Sequence, residues 1–183
     1  MKLIILDRDG VINHDSDAYI KSPEEWQPID GSLEAIASLN HGGYTVVVAS
    51  NQSGIARKYF DISALTAMHN KMDALLENIG GRIDAVFYCP HGPDDGCDCR
   101  KPSPGMLLDI GQRFNVSLKE VFFIGDSISD IKAAIDAEAK PMLVRTGKGN
   151  KAEKIMQLES KESGSEPVPV FDDLAAAVAT LLK

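Results

Sequence analysis

In four stretches of the chain every position is apolar: Leu3-Ile4-Ile5-Leu6, Val46-Val47-Val48-Ala49, Ala85-Val86-Phe87-Tyr88 and Val121-Phe122-Phe123-Ile124. A strand with one face in water alternates. Runs without alternation predict strands covered on both faces, the arrangement of a parallel sheet between two helix layers. Pro141 to Val144 and Val168 to Phe171 predict two weaker strands, the second confined to an edge because its prolines cannot donate to a ladder. Between the runs, apolar positions recur at helical spacing: Leu33, Ile36, Ala37 and Leu39 behind Ser32, then Leu65, Met68, Met72, Leu75 and Leu76 behind Asp61 and Ser63. Gly42-Gly43 and Gly80-Gly81 close these two helices. Further helices are predicted from Pro104 to Phe114, Asp130 to Ala137 and Asp172 to Leu182. The β-α-β-α order predicts an α/β fold, a three-layer Rossmann-like parallel sheet. Residues 13–30 are too few for a substantial cap domain and predict a loop or small flap, and polar Glu159 to Pro167 predicts a surface loop. One domain over residues 1–183 is expected.

Composition narrows the partners. With 44% hydrophobic residues, 19 Lys+Arg and 27 Asp+Glu, the chain has a core of ordinary size and a formal net charge of -8. It lacks the broad positive field that nucleic acids and anionic membranes require. No run approaches the ~20 apolar residues of a membrane span. Leu3 to Leu6 is stopped by Asp7-Arg8-Asp9, too short for a secretory signal, so a cytoplasmic protein is expected. No apolar surface stripe calls for a partner subunit, and a monomer is expected.

In an open parallel sheet ligands bind beyond the carboxyl ends of the strands. There the first run ends in Asp7-Arg8-Asp9-Gly10, the second in Ser50-Asn51-Gln52-Ser53-Gly54, and the fourth in Gly125-Asp126-Ser127 with Asp130 following. An aspartate after a strand is often only a turn former or helix cap. As a group, however, these residues suit phosphoryl transfer. Asp7, on a buried strand, could attack phosphorus and form an aspartyl-phosphate. Asp9 could protonate the leaving oxygen and then activate water. Acids so near a phosphoryl group need a hard divalent cation, and Mg²⁺ with Asp7, Asp9 and Asp126 as ligands fits. Ser50 would donate to the phosphoryl oxygens and Lys101 would neutralise spreading charge. A calcium loop through Asn13, Asp15, Asp17 and Glu24 is excluded because Ala18 replaces the required glycine.

Cys89-x-His91 and Cys97-x-Cys99 place four ligands within eleven residues, and a tetrahedral Zn²⁺ site is the expectation. With no open position it would be structural, fixing Arg100 and Lys101 at the pocket. Three reduced cysteines beside an unrelated histidine are the plainer alternative. His14, His41 and His69 carry no partner pattern.

Asp7-Arg8-Asp9-Gly10-Val11, Ser50-Asn51, Lys101-Pro102 and Gly125-Asp126-x-x-x-Asp130 resemble the four signature motifs of the haloacid dehalogenase superfamily, over residues 3 to about 146. The resemblance implies the phosphoaspartate mechanism, with Asp7 as nucleophile, Asp9 as acid/base, Asp126 as Mg²⁺ ligand and Asp130 orienting Lys101 or a metal-bound water. The cysteine segments and Ser50 to Arg57 are similar to the zinc-containing branch that acts on heptose bisphosphates and histidinol phosphate. This implies a phosphatase releasing the 7-phosphate of a heptose 1,7-bisphosphate, a small phosphorylated sugar. Asn51, Arg57 and Arg100 would then be substrate-binding, with Lys58, Arg145 and Lys148 as further cations for the second phosphate. A histidinol-phosphate phosphatase and a phospho-acceptor domain without turnover are the alternatives; retention of both Asp7 and Asp9 favours turnover.

Overall fold

The computed structural model describes residues 1–163 and 167–183. Its elements in chain order are β1 (Lys2–Leu6), α1 (Ser32–His41), β2 (Tyr44–Asn51), α2 (Ile62–Glu77), β3 (Ala85–Cys89), α3 (Gly105–Phe114), β4 (Phe122–Gly125), α4 (Ile128–Asp136), β5 (Lys140–Val144), α5 (Gly149–Ser163), β6 (Val170–Phe171) and α6 (Leu174–Leu181). The six strands pair in the order β3-β2-β1-β4-β5-β6, all parallel. From β1 the chain runs outward through β2 to β3, then crosses back to β4 and continues to the other edge. The order therefore reverses between β1 and β4, and the loops leaving those two strands diverge around a crevice.

The unbroken apolar runs form strands buried on both faces, as expected. Ile4 and Leu6 pack with Leu65, Met68 and Met72 of α2 and with residues of α1 and α6. Leu3 and Ile5 pack with Met106, Leu107 and Ile110 of α3 and with the alanines of α4. Even positions of β1 thus face the α1/α2/α6 layer and odd positions the α3/α4 layer, as the period-2 strand geometry dictates. Helix starts follow capping chemistry. Asp61 accepts from the Ala64 N–H, and Ser127 forms a capping box with Asp130.

Helix α5 was absent from the sequence-based expectations, which placed a loop at 159–167. Residues 159–163 instead complete α5, while 164–166 lie outside the described residues. Its packing rests on Ala152 and Met156 against Ile131 and Leu143, so the apolar periodicity is too sparse to announce a helix. β6 is a two-residue edge strand, as its prolines require.

Residues 13–30 add neither a helix nor a strand of their own. They form a flap pinned at both ends: the His14 N–H donates to Gln27 O (3.0 Å), the Ile29 N–H to Ile12 O (2.9 Å), and Trp26 is fully buried in the α1/α2 core. Lys71 of α2 donates to Pro23 O and Trp26 O, both at 2.7 Å.

Candidate active site

The odd-position side chain that follows β1 points toward α3 and α4, and this is where Asp7 meets its partners. Lys101, just before α3, is 2% exposed. Its ammonium donates to Ala49 O (2.8 Å) and forms ion pairs with Asp7 Oδ1 (3.0 Å) and Asp130 Oδ1 (2.6 Å). Burial opposes the lysine charge, but Asp130 and Asp7 outweigh it and hold its pKa above the ordinary value. Burial pushes the Asp7 carboxyl up, Lys101 pulls it down, and Asp130, Asp126 and Asp9 push it up again. Asn51 grips the backbone of Lys101 with both ends of its amide: Nδ2 donates to Lys101 O (2.9 Å) and Oδ1 accepts from Lys101 N (3.1 Å). Asp130 also accepts from Ser127 Oγ (2.6 Å), so one carboxylate caps α4 and orients the lysine.

Asp9 has a different environment. Arg8 Nε and Nη2 both donate to Oδ1 (3.1 and 2.8 Å), and Nη2 also to Oδ2 (2.9 Å). Asn13 Nδ2 donates to Oδ1 (2.8 Å) and Gln52 Nε2 to Oδ2 (2.9 Å). Burial raises the Asp9 pKa, but the Arg8 charge and these donors overcome it and leave the group a carboxylate. Gln52 Nε2 also donates to the buried Ser50 Oγ (2.7 Å).

Asp126 follows β4 across the crevice. Its Oδ2 accepts from the Lys148 backbone N–H (2.7 Å) and is flanked by Gly10 (φ 83) and Gly147 (φ 57). A methyl group on either glycine would overlap that oxygen. Thr146 Oγ1 donates to Gly10 O (2.6 Å) and closes the two walls together. Burial and then Asp130 raise the Asp126 pKa to about 7. Carboxylate oxygens of Asp7, Asp126 and Asp130 lie within 4.8 Å of one another. An all-oxygen donor set this crowded fits a hard divalent cation such as Mg²⁺.

At the end of β3, Cys89 Sγ lies 3.5 Å from His91 Nδ1, 3.6 Å from Cys97 Sγ and 3.3 Å from Cys99 Sγ, and Cys99 Sγ lies 3.4 Å from His91 Nδ1. Tetrahedral zinc with ordinary Zn–S and Zn–N bonds implies ligand separations of roughly 3.5–3.8 Å. Two of these separations reach that range, two are about 0.1–0.2 Å shorter, and all four atoms lie within 4.8 Å of one another, a cluster of the right size and donor set for the ion. Burial pushes the Cys89 thiol up to about 12, and only a bound cation would bring the thiolate into the neutral range.

The acidic groups open into a cavity of ≈ 430 Å³ lined by Asp7, Asp9, Ser50, Asn51, Gln52 and Asp126 at its floor, and by Asp15, Ser16, Asp17 and Tyr19 of the flap, with Arg100, Lys101 and Lys148 as its cations. Arg100 also donates to His91 O (3.3 Å), tying the cysteine loop to the pocket wall. Lys148 Nζ meets Asp15 of the flap at 3.0 Å. Arg57 is exposed on the turn after β2 and is not a lining residue of this cavity. Arg145 is committed to Glu153 and Asp172 (2.8 and 2.7 Å).

Arg8, Asn13 and Gln52 act on Asp9 and were not anticipated. A cation between two strand-end acids, and amides four residues after Asp9 and two after Ser50, were the available signals. Their meaning depended on turns that only the folded chain displays.

Residues 98–177 match the HAD-hydrolase-like family. The chain is 53% identical to the D-glycero-β-D-manno-heptose-1,7-bisphosphate 7-phosphatase of Pseudomonas putida over 183 residues, covering 100% of both chains. It is 51% identical to the enzyme of that name from Pseudomonas aeruginosa, covering 99% of this chain and 98% of the relative. The chain belongs to this heptose-bisphosphate phosphatase family of HAD-like hydrolases. The fold agrees: the crystal structure of D,D-heptose 1,7-bisphosphate phosphatase from B. bronchiseptica, complexed with magnesium and phosphate, matches with a TM-score of 0.91 at 52% identity, covering 100% of this chain and 98% of that one. The superfamily resemblance carried by the four motifs is thereby confirmed, and the heptose-bisphosphate phosphatase family supplies the frame for the site.

Proposed function

We propose that the protein hydrolyses the 7-phosphate of D-glycero-β-D-manno-heptose 1,7-bisphosphate through an aspartyl-phosphate on Asp7. The observation that carries this reading is the meeting of Asp7, Lys101, Asp130 and Asp126 at the β1/β4 crevice, in a chain 53% identical end to end to a phosphatase of that name. An Asp7 carboxylate oxygen attacks phosphorus and the bond from phosphorus to the sugar oxygen breaks, with the Asp9 carboxyl giving its proton to the departing alkoxide. The arriving phosphate dianion opposes Arg8 and raises the proton affinity of Asp9 for this step. Water then attacks phosphorus, Asp9 takes its proton, and the bond to Asp7 breaks to release inorganic phosphate. Lys101 neutralises charge on the transferred group, and Ser50 donates to its oxygens.

Mg²⁺ would be held by Asp7, Asp126 and the backbone carbonyl of Asp9, supplying positive charge at the phosphoryl group. Zn²⁺ would be held by Cys89, His91, Cys97 and Cys99, supplying a rigid loop ahead of Arg100 and Lys101. Arg100 and Lys148 face the pocket and are the cations for the second phosphate, with Asn51 shaping the wall and Arg57 in an outer position. One domain acting as a cytoplasmic monomer completes the proposal. Among the described residues no helix is long and apolar enough to cross a membrane.

The test is a comparison of kcat/KM for the β and α anomers of the heptose bisphosphate and for histidinol phosphate. The β anomer is expected to lead. Turnover of histidinol phosphate equal to or above it would reject the substrate assignment. Asp7→Asn should remove turnover while leaving the melting temperature within a few degrees.

A further inference from the structure

Arg8 is fully buried, and its backbone N–H donates to Asp7 Oδ1 at 2.7 Å while its side chain binds Asp9. Nε and Nη2 are spent on the carboxylate, which leaves Nη1. That nitrogen points away from the pocket, 3.4 Å from His69 Nε2 on α2. Strand parity explains the meeting: position 8 continues the even series of Ile4 and Leu6, which faces α2. Helix geometry supplies the other half, because His69, itself half-buried, sits four residues after Leu65 and three before Met72, alongside the buried stripe.

An imidazole accepts from a guanidinium only when neutral. Burial and then the Arg8 charge hold the His69 pKa at about 4, so the ring is neutral wherever the enzyme could work near pH 7. A guanidinium bound to a single carboxylate still pivots about that contact. A third anchor on the far nitrogen fixes its plane, and with it the direction in which the carboxylate presents its oxygens.

We infer that His69 is a positioning residue which, by accepting from Arg8 Nη1, sets the orientation of Asp9 toward the leaving oxygen. The inference rests on Asp9 being the acid/base of the proposed reaction. Asp9 is needed most where the leaving group is a poor one. A sugar alkoxide must be protonated as it departs, whereas p-nitrophenolate leaves unaided.

The experiment measures kcat/KM of wild type, His69→Leu and His69→Gln, with Mg²⁺ present, on the heptose bisphosphate and on p-nitrophenyl phosphate. Leucine fills the space without an acceptor; glutamine restores a neutral acceptor. His69→Leu is expected to lose about tenfold on the sugar phosphate and less than about twofold on the aryl phosphate, a fraction of what a general acid supplies. His69→Gln is expected to recover most of that loss. His69→Ala gives the same contrast if leucine does not fit. Equal losses on both substrates, or equal behaviour of the leucine and glutamine variants, would overturn the inference and leave His69 a packing residue. A wild type that does not turn over the bisphosphate would instead sink the function proposed above, and any alkyl phosphate it does hydrolyse would still test His69.

Discussion

At the scale of single residues, the site is set by what has no side chain as much as by what has one. Gly10 and Gly147 combine positive φ with contact against Asp126 Oδ2, so alanine at either carries both backbone strain and an overlap. Gly147→Ala is expected to weaken Mg²⁺ activation by at least about tenfold, a 1.4 kcal/mol effect, read as the shift in Mg²⁺ concentration for half-maximal rate; an unchanged midpoint would count against this account. Asp126 also makes the metal-free protein pH-sensitive. Its carboxyl is raised from 3.8 to about 7 in the folded state, so between those values the folded chain holds more protons than the unfolded one. Its contribution to stability therefore declines as pH rises through that window. Without divalent cation, the melting temperature of Asp126→Asn minus that of wild type should grow from pH 5 to pH 8, and Mg²⁺ should reverse the order at pH 8. A difference that does not vary with pH would remove this group as the cause. Asp7, Asp9 and Asp126 were legible because each ends an apolar run. The pairing of Arg8 with His69 was not, because the two lie 61 residues apart and only packing brings them together.

The elements show why some segments could be read and others not. β1, β2 and β4 are apolar at every core position, and nothing but a doubly covered strand accounts for that. α5 makes few core contacts and has a surface rich in charge, so local pattern alone resembles a loop. The cysteine loop was legible as a ligand set, yet the Arg100 bond to His91 O, which couples it to the pocket, was not. Cys97→Ala is expected to lose bound zinc, lower the melting temperature and reduce activity in parallel. A zinc-free variant with normal kinetics would show that the loop holds Lys101 without the metal. The flap depends on Trp26, which is 0% exposed. Trp26→Ala should cost about 3–5 kcal/mol in chemical denaturation and raise KM for the bisphosphate, since Asp15, Ser16 and Tyr19 line the cavity from the same flap.

The whole molecule carries a net charge of -8 and must admit an anionic ester. Six aspartates line the cavity against Arg100, Lys101 and Lys148, and Lys101 is already paired with two of them, Asp7 and Asp130. Long-range repulsion should therefore slow encounter, and raising ionic strength from about 0.02 to 0.15 M, which cuts the screening length to about 8 Å, should increase kcat/KM at fixed Mg²⁺. A fall over that range would mean that the pocket cations dominate the field.

The division of labour around β1 has one more consequence. Odd positions deliver Asp7, the proposed nucleophile, to the lysine side and even positions deliver Arg8 to the histidine side, so the proposed chemistry is indexed to the pleat of one short strand. A single-residue slip of that strand would keep its four apolar side chains in plausible company yet present a guanidinium where phosphorus expects a carboxylate. The parallel ladders to β2 and β4, each locking Ile4, Ile5 and Leu6 against a fixed neighbour, thus act as a frame-keeper for the reaction as well as a source of stability.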